Sequence, residues 1–300
     1  MIILVVGATG VLGREVVAQL TASGHEVRAL TRRGWYTEAV QHPKLEIVQG
    51  DLIDRTSLAG ACRGVDAVLA AAHSLRGTGK HSSQAVDDLG HRTLIDTAKD
   101  SNVKRFVYMS ARGAKPDHTV DFFRIKSGVE QYLKSSGLSH SILRPSPFME
   151  SHVHQLLGRD LLERGSTKIH GDGTNAINFV SARDVAKFAV IALNNQSAAE
   201  IGEIGGPNNL SKREVAETYL RLSGRTGKVQ CVPTMLMRAM RPIVQPFNPV
   251  LARLLAMSIW LDTTDQTFDA RTPDTSYLIA PTSIEDFIRE KIDGTAPARS

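Results

Sequence analysis

Three glycines, Gly7, Gly10 and Gly13, stand at equal spacing in Gly7-Ala8-Thr9-Gly10-Val11-Leu12-Gly13, directly after an apolar run at 2–6. Glycine serves a different need at each position. The first makes the tight turn out of a strand, and the second lets bare main chain approach a pyrophosphate. The third lets the following helix pack closely on the strand. A helix opening at Val11 would also offer unpaired N–H groups and the positive end of its dipole to phosphate oxygens. The pattern is G-x-x-G-x-x-G rather than G-x-G-x-x-G, so its first gap is one residue longer. A generic strand-to-helix turn carries similar glycines. Placement behind an apolar strand at the head of an alternating array selects dinucleotide binding.

The choice of dinucleotide is made near the end of the second strand. An NAD enzyme needs a carboxylate there, about twenty residues past the loop, to accept from the ribose 2′-hydroxyl. This chain has Thr31-Arg32-Arg33 and no carboxylate. Arginine can pair with a 2′-phosphate through charge-assisted bonds and stack on adenine. A solvated arginine pair on a loop is the plain alternative, but the missing carboxylate points the same way, to NADP(H). After the third strand, Gly50-Asp51-Leu52 sets Asp51 either near the adenine amino group or simply in a turn. Ala71, Ala72 and His73 follow the fourth strand, where carboxyl ends of strands converge on a cofactor. His73 either lines that cleft or is merely exposed.

These residues need a scaffold, and the hydrophobic pattern supplies one. Short apolar runs at 2–6, 27–30, 45–48, 67–71, 105–109 and 141–143 read as strands. Segments at 11–23, 56–62, 83–100 and 120–135 read as helices, the first carrying Leu12, Val16, Val17 and Leu20 at helical spacing. Strands separated by helices imply right-handed crossovers and a Rossmann-type doubly wound parallel sheet, an α/β fold. Beyond Pro145 the rhythm changes. A helix is expected at 151–164, a short strand at 177–180, a helix at 182–193, and one more strand at 203–204 before Gly205-Gly206-Pro207. Ser211 with Glu214 three residues on is a capping box. Residues 1–149, joined by a returning 176–206, are expected to form the dinucleotide-binding domain. Residues 150–175 and 207–300 make a smaller C-terminal α+β substrate region. Residues 74–83 have loop composition.

On the loop Gly7–Gly13, on Val27-Arg28-Ala29-Leu30-Thr31-Arg32, Gly50-Asp51-Leu52 and Arg105-Phe106-Val107-Tyr108-Met109-Ser110, the chain resembles the short-chain dehydrogenase/reductase superfamily. The likeness continues through Lys126-Ser127-Gly128-Val129-Glu130, Leu143-Arg144-Pro145 and Phe179-Val180-Ser181-Ala182-Arg183-Asp184-Val185-Ala186. Within that superfamily it resembles the atypical NmrA-like branch, which includes triphenylmethane reductase-like and NADPH:quinone reductase-like proteins. The resemblance implies a Ser and a Tyr-x-x-x-Lys set. The phenol protonates the substrate oxygen as hydride arrives, while the Lys holds the ribose and lowers the phenol pKa. Ser110 ends the fifth strand where the superfamily serine stands, and Lys126 lies in the following helix. Four residues before Lys126 stands Phe122.

Phenylalanine cannot donate a proton, so the standard carbonyl-reductase mechanism does not apply as it stands. Acceptors that need no strong acid fit better: quinones, polarised alkenes, iminium ions or cationic dyes, with a proton from water, Ser110 or Lys126. Lys126 has a competing role as a surface lysine paired with Glu130 at i+4. Tyr108, two residues before Ser110, is expected as a core aromatic. Pro145, Phe148 and Met149 follow the sixth strand. Phe148 and Met149 either neighbour the nicotinamide or pack at a domain interface.

Other constellations carry less. His152 and His154 are two apart and face different sides of a helix, so no metal pair is expected. His170, Asp172 and Asp184 have no serine in a nucleophile elbow to complete a triad. Cys62 and Cys231 read as free thiols in a reducing compartment. With 36 Lys+Arg against 31 Asp+Glu the chain is mildly basic. No run of adjacent basic residues is longer than a pair such as Arg32-Arg33, so no stripe for nucleic acid is expected. No run of about 18 apolar residues spans a membrane, and a cytoplasmic location is expected. Residues 235–260 are Met- and Leu-rich, with arginines and three prolines. They read as a substrate-pocket wall, a subunit contact or an interfacial patch, the last ranked lowest because the prolines break a continuous helix.

The expected protein is therefore an NADP(H)-dependent oxidoreductase that drives reduction of a small hydrophobic, electron-poor acceptor. A homodimer is compatible with this reading. The rival is a non-enzymatic NADP(H) sensor or assembly factor that binds a partner protein.

Overall fold

The computed structural model describes residues 1–32, 42–195, 200–269 and 280–295. The first apolar run forms β1 (Ile2–Val6), whose Ile3, Leu4 and Val5 are fully buried. A strand covered on both faces requires this continuous apolar composition. The chain continues through α1 (Val11–Ala22), β2 (Glu26–Thr31), β3 (Leu45–Gln49), α2 (Arg55–Cys62) and β4 (Ala67–Ala70). Asp54 caps α2 by accepting from Thr56 N–H at 3.0 Å. Wide helical turns at Gln84–Gly90 then run into α3 (His91–Asp100). After them come β5 (Arg105–Met109), α4 (Asp121–Ser135) and β6 (His140–Pro145).

These strands form one parallel sheet in the order β3-β2-β1-β4-β5-β6, the doubly wound order with its switch point between β1 and β4. A seventh strand among the described residues, Ile201–Ile204, extends it parallel to β6. The fold class read from the sequence is the one observed.

The second part begins with wide helical turns at Met149–Gly158, then α5 (Arg159–Arg164), β7 (Ser166–His170) and β8 (Ile177–Asn178). Next are α6 (Ala182–Asn194), β9 (the Ile201–Ile204 strand), β10 (Asn209–Leu210) and α7 (Lys212–Ser223). The chain closes with β11 (Lys228–Val232), α8 (Thr234–Val244), α9 (Pro249–Thr263) and α10 (Ile284–Thr295). Here β7 pairs parallel with β11, and β8 antiparallel with β10. The Ser211–Glu214 capping box starts α7. The prolines did not prevent a helix at 234–244: Pro242 lies inside α8, and Pro249 occupies the first turn of α9 behind the Asn248 cap.

The chain divides into two units, Met1–Pro145 with Val185–Ile204, and Ser146–Asp184 with Gly205–Ser300. The sequence placed the break after 149 and the return at 176. Both lie elsewhere because Met149, Ile177 and Phe179 are core residues of the second unit, packed with Val215, Tyr219 and Ile288. The core of the first unit gathers Leu4, Leu58, Leu94, Phe106, Tyr108 and Leu133 around the sheet.

Candidate functional site

In the first unit the residues singled out from the sequence gather at the carboxyl ends of β1 to β6 and on α4. That edge is where doubly wound sheets hold ligands.

The turn from β1 to α1 is built for main-chain exposure. Gly7 has φ +94°, and a Cβ there would lie 2.6 Å from Ala72 N. At Gly13 a Cβ would overlap the Gly7 carbonyl oxygen and lie 2.7 Å from Ala8 Cα, so helix and turn touch at van der Waals distance. Gly10 is exposed and forms the N-cap of α1 with no side chain capping the first turn. Its N–H donates to Gly7 O at 3.0 Å, and its own carbonyl accepts from Arg14 N–H at 3.1 Å. The next amides of α1 therefore face outward without a side-chain acceptor. Thr9 and Val11 are half-buried, while Ala8 and Leu12 point into the core. Only main chain from those two can serve a ligand.

Thr31 ends β2 with its Oγ1 buried and unpartnered among the described residues, and Arg32 beyond it is exposed. Arg33 lies outside the described residues. Asp51 follows β3. Its N–H donates to Ser57 Oγ at 3.0 Å, and its carboxylate stands 3.7 Å from His81. Leu52 is a core residue. Ala71 continues past β4 by donating to Val6 O at 2.9 Å. Ala72 beside it is half-buried, and His73 is exposed, close enough to Lys126 and Asp87 for both charges to act on it. Pro145 ends β6 with its carbonyl accepting from Arg112 N–H at 3.1 Å. Phe148 belongs to the second unit, where it bridges Val180, and Met149 is buried in that unit's core.

At the end of β5 the structure departs from simple expectation. Lys126 is only 3% exposed, so it is no surface lysine, and Glu130 is not its ion-pair partner. Its ammonium donates to Met109 O at 2.8 Å and lies 4.8 Å from the Tyr108 ring centre and 5.8 Å from that of Phe122. Burial pulls its pKa down to about 8, against the opposing pull of Asp87 and Glu130. Phe122 thus stands one helical turn from the ammonium, where a phenol would be expected, and brings only a ring face. Ser110 is buried, and its hydroxyl donates to Glu130. That fully buried carboxylate is also gripped by the Arg144 guanidinium, which donates from Nε at 2.9 Å and from a second nitrogen.

Two further groups were not read from the sequence. Asp87, fully buried in the wide turns before α3, accepts from Ser74 N–H at 2.6 Å through Oδ1, while Oδ2 has no partner among the described residues. His91 is also fully buried, its Nδ1 paired with Val86 O at 3.0 Å and its Nε2 unpartnered. Burial and the Lys126 charge drive its pKa down to about 3, so the ring is neutral. It meets Tyr108 edge to face at 5.4 Å, and the Tyr108 hydroxyl is a third buried, unpartnered polar group. A signal did exist. Asp87 and His91 fall at i and i+4 with Leu94 and Ala98 on the buried stripe of this helical stretch.

The remaining candidates are dispersed within the second unit. His154 pairs with the Tyr219 hydroxyl at 3.1 Å, and His152 lies beside Phe179. Asp184 accepts from Thr282 N–H at 2.7 Å, a structural bond. Cys62 and Cys231 are free, and burial raises the Cys62 pKa to about 11.

Comparison with known proteins agrees with this architecture. The chain is 30% identical over 249 residues to the photosystem II assembly factor Ycf39 of Synechocystis sp., covering 83% of this chain and 76% of that protein. It is also 30% identical over 226 residues to the NAD(P)H azoreductase of Xenophilus azovorans, covering 74% of each. Among solved structures, the NADPH-dependent quinone oxidoreductase of Escherichia coli complexed with NADPH superimposes with a TM-score of 0.76 at 21% identity. That match covers 96% of this chain and 99% of the other. The model of the NmrA-like family matches residues 1–288, and with the sheet order and the glycine turn in place, the chain belongs to that family.

Proposed function

We propose that this protein is an NADP(H)-dependent oxidoreductase whose natural direction is reduction of a hydrophobic, electron-poor acceptor. The observation that carries the reading is the β1–α1 turn, with main chain too tightly packed for a Cβ at Gly7 and Gly13 and with uncapped amides at the head of α1. These residues fit a dinucleotide. Amides from Val11 to Gly13 would take the pyrophosphate, and Arg32, with Arg33, the 2′-phosphate. Asp51, Leu52, Ala71, Ala72 and His73 would border the nucleotide, and Lys126 would hold the nicotinamide ribose. Pro145 would close the rim.

When bound, the reduced nicotinamide supplies a hydride. The chain's own part is to orient it and to manage a proton. Lys126 holds its proton with an affinity lowered to about 8, within range of general acid work near neutral pH. Ser110 spends its hydroxyl on Glu130 and so acts by fixing the end of β5 rather than by polarising a carbonyl. Phe122 removes the strong acid, which suits quinones, polarised alkenes, azo compounds and iminium-type acceptors. The azoreductase relative, named for reducing an azo bond, supports that class.

Calorimetry with NADPH and NADH, followed by the loss of nicotinamide absorbance with a panel of quinones, enones and azo dyes, tests the reading. Absence of binding by either dinucleotide to folded protein refutes it. Phe122→Tyr gives a second check. A phenol placed one turn from the Lys126 ammonium is expected to bring aldehyde and ketone reduction that the parent lacks.

A second reading is a cofactor-dependent assembly factor without turnover. It is favoured by the missing phenol, by the engaged Ser110 hydroxyl and by the likeness to Ycf39. Tight NADPH binding with no consumption across the whole acceptor panel selects it.

A further inference from the structure

We propose that α8 docks the protein on an anionic lipid surface, lying flat in the headgroup region. The helix is amphipathic in an unusual sense, because its broad apolar arc faces solvent. Thr234 and Met237 are buried toward the unit, and Val244 is half-buried on that same side. Met235, Leu236, Ala239, Met240, Pro242 and Ile243 are all exposed, and at 100° per residue they share one arc of roughly 160°. Met235 is 82% exposed, Ile243 69%, and Phe247 in the turn that follows 87%. A continuous apolar face of this kind marks an interaction surface.

The charges say which surface. Residues 233–261 contain Arg238, Arg241 and Arg253 and not one Asp or Glu. Arg238 borders the apolar arc in exposed position, while Arg241 lies half-buried on the opposite side of the helix, between Thr234 and Met237. Apolar groups on one arc with arginine beside them is the composition of a helix seated at the boundary of headgroups and acyl chains. A second copy of this chain fits less well. A two-fold contact through this face would bring Arg238, at its border, toward its own copy with no carboxylate in the segment to compensate. A protein partner fits less well too, because the arc carries no hydrogen-bonding side chain, and protein interfaces form about one hydrogen bond per 100–200 Å². No described helix is long and apolar enough to cross a membrane, so attachment would be peripheral. This inference rests on the second unit alone and holds whether or not the protein turns over a substrate.

The test is cosedimentation of the full chain with vesicles of phosphatidylcholine alone and of phosphatidylcholine with phosphatidylglycerol at about three to one. The parent is expected to pellet with the anionic vesicles and at least about tenfold less with the neutral ones. Met235→Ser/Ile243→Ser/Phe247→Ser, all at exposed sites, is expected to lose at least about tenfold in partitioning. Arg238→Gln is expected to weaken the preference for anionic vesicles. NADPH affinity and the unfolding midpoint of each variant, measured beside the parent, show that the fold is kept. A parent that stays in the supernatant with both vesicle types overturns the proposal. So does sedimentation equilibrium showing a parent dimer that the triple serine variant disperses, since a second copy then covers the face.

Discussion

The β1–α1 turn and the end of β5 sit on the same edge of one sheet and are built on opposite plans. At the turn the groups on offer to a ligand are main-chain amides, and side chains matter by being absent: a Cβ at Gly13 would meet Ala8 Cα at 2.7 Å. At β5 the working groups are buried side chains. Lys126, Asp87, His91, Tyr108 and Glu130 lie in the interior, where the Asp87 and Glu130 charges act on Lys126 and Tyr108, and the Lys126 charge acts on His91. A backbone site is fixed by sterics and tolerates little change. A buried polar site is fixed by electrostatic balance and should respond to pH. That difference can be attacked from either side.

The largest effect is expected at the turn. Gly13→Ala drives a methyl into the Gly7 carbonyl and should lower stability by about 3 kcal/mol, with NADPH binding reduced at least about a hundredfold. Gly10→Ala separates the two functions of the turn. Its Cβ would meet only Gly7 O, at 3.3 Å, and would otherwise point outward. Stability should change by about 1 kcal/mol or less, whereas NADPH affinity should fall by about tenfold. Thermal melts and calorimetry on the pair read both numbers. Unchanged affinity in folded Gly10→Ala would mean that no phosphate lies against this turn.

The buried side is probed by pH. The Lys126 pKa is 10.5 in the unfolded chain and about 8 in the fold. Between those values the unfolded chain carries a proton that the folded one has released. Stability therefore rises with pH across that window, and burial of the ammonium costs most below about 8. Relative to Lys126→Met, which has no such proton, the parent should gain about 3 kcal/mol between pH 8 and 10.5. Parallel curves for parent and variant in denaturant titrations would show that Lys126 is not held as described. If Lys126 also supplies the proton, parent turnover should decline as pH passes about 8.

The same contrast explains what could be read from sequence. A backbone site declares itself locally: Gly7, Gly10 and Gly13 after an apolar strand, with Arg32 and no carboxylate at the end of the neighbouring strand, need no knowledge of distant contacts. The doubly wound parallel sheet followed from alternation of apolar runs and helices for the same reason. The buried cluster did not declare itself. A Glu130–Lys126 pair was one alternative because they are four apart on one helix, but the partner that captures Glu130, Arg144, comes from β6. Asp87 and His91 were passed over as ordinary polar residues of a helix, although they share its buried stripe. In the second unit, β7 and β11 are short, half-exposed strands whose only sheet partners among the described residues are each other, so neither shows the long apolar run that identified β1. At α8, Pro242 suggested a break, yet the helix runs past it because only the Arg238 carbonyl loses a donor.

A smaller effect sharpens the backbone side. Arg32 is exposed, so its removal should leave the fold intact. Arg32→Ala should weaken NADPH binding by about 1.5–3 kcal/mol, the range for hydrogen bonds to a charged group, and leave NADH nearly unchanged. Equal losses for both cofactors would take the 2′-phosphate away from Arg32 and give it to another cation.

The smallest effect is the most discriminating for the buried cluster. The Tyr108 hydroxyl is fully buried and unpartnered among the described residues, while its ring carries the Lys126 ammonium on one face and meets His91 at its edge. Burial and the nearby carboxylates Asp87 and Glu130 push its pKa well above the usual phenol value, so the group stays neutral. Tyr108→Phe keeps the ring and both ring contacts and deletes only the oxygen. A buried hydroxyl without a partner costs more than it returns, so the variant should be more stable by about 1 kcal/mol. A loss of similar size would mean that the hydroxyl is engaged, and Asp87 Oδ2 and His91 Nε2 are the unsatisfied acceptors of the same buried cluster. The two outcomes differ in sign, and a matched pair of denaturant titrations at neutral pH separates them. A stabilised variant would leave Lys126 as the one group in the cluster with a proton to give. A destabilised one would extend the proton path inward from Lys126 to Tyr108, Asp87 and His91.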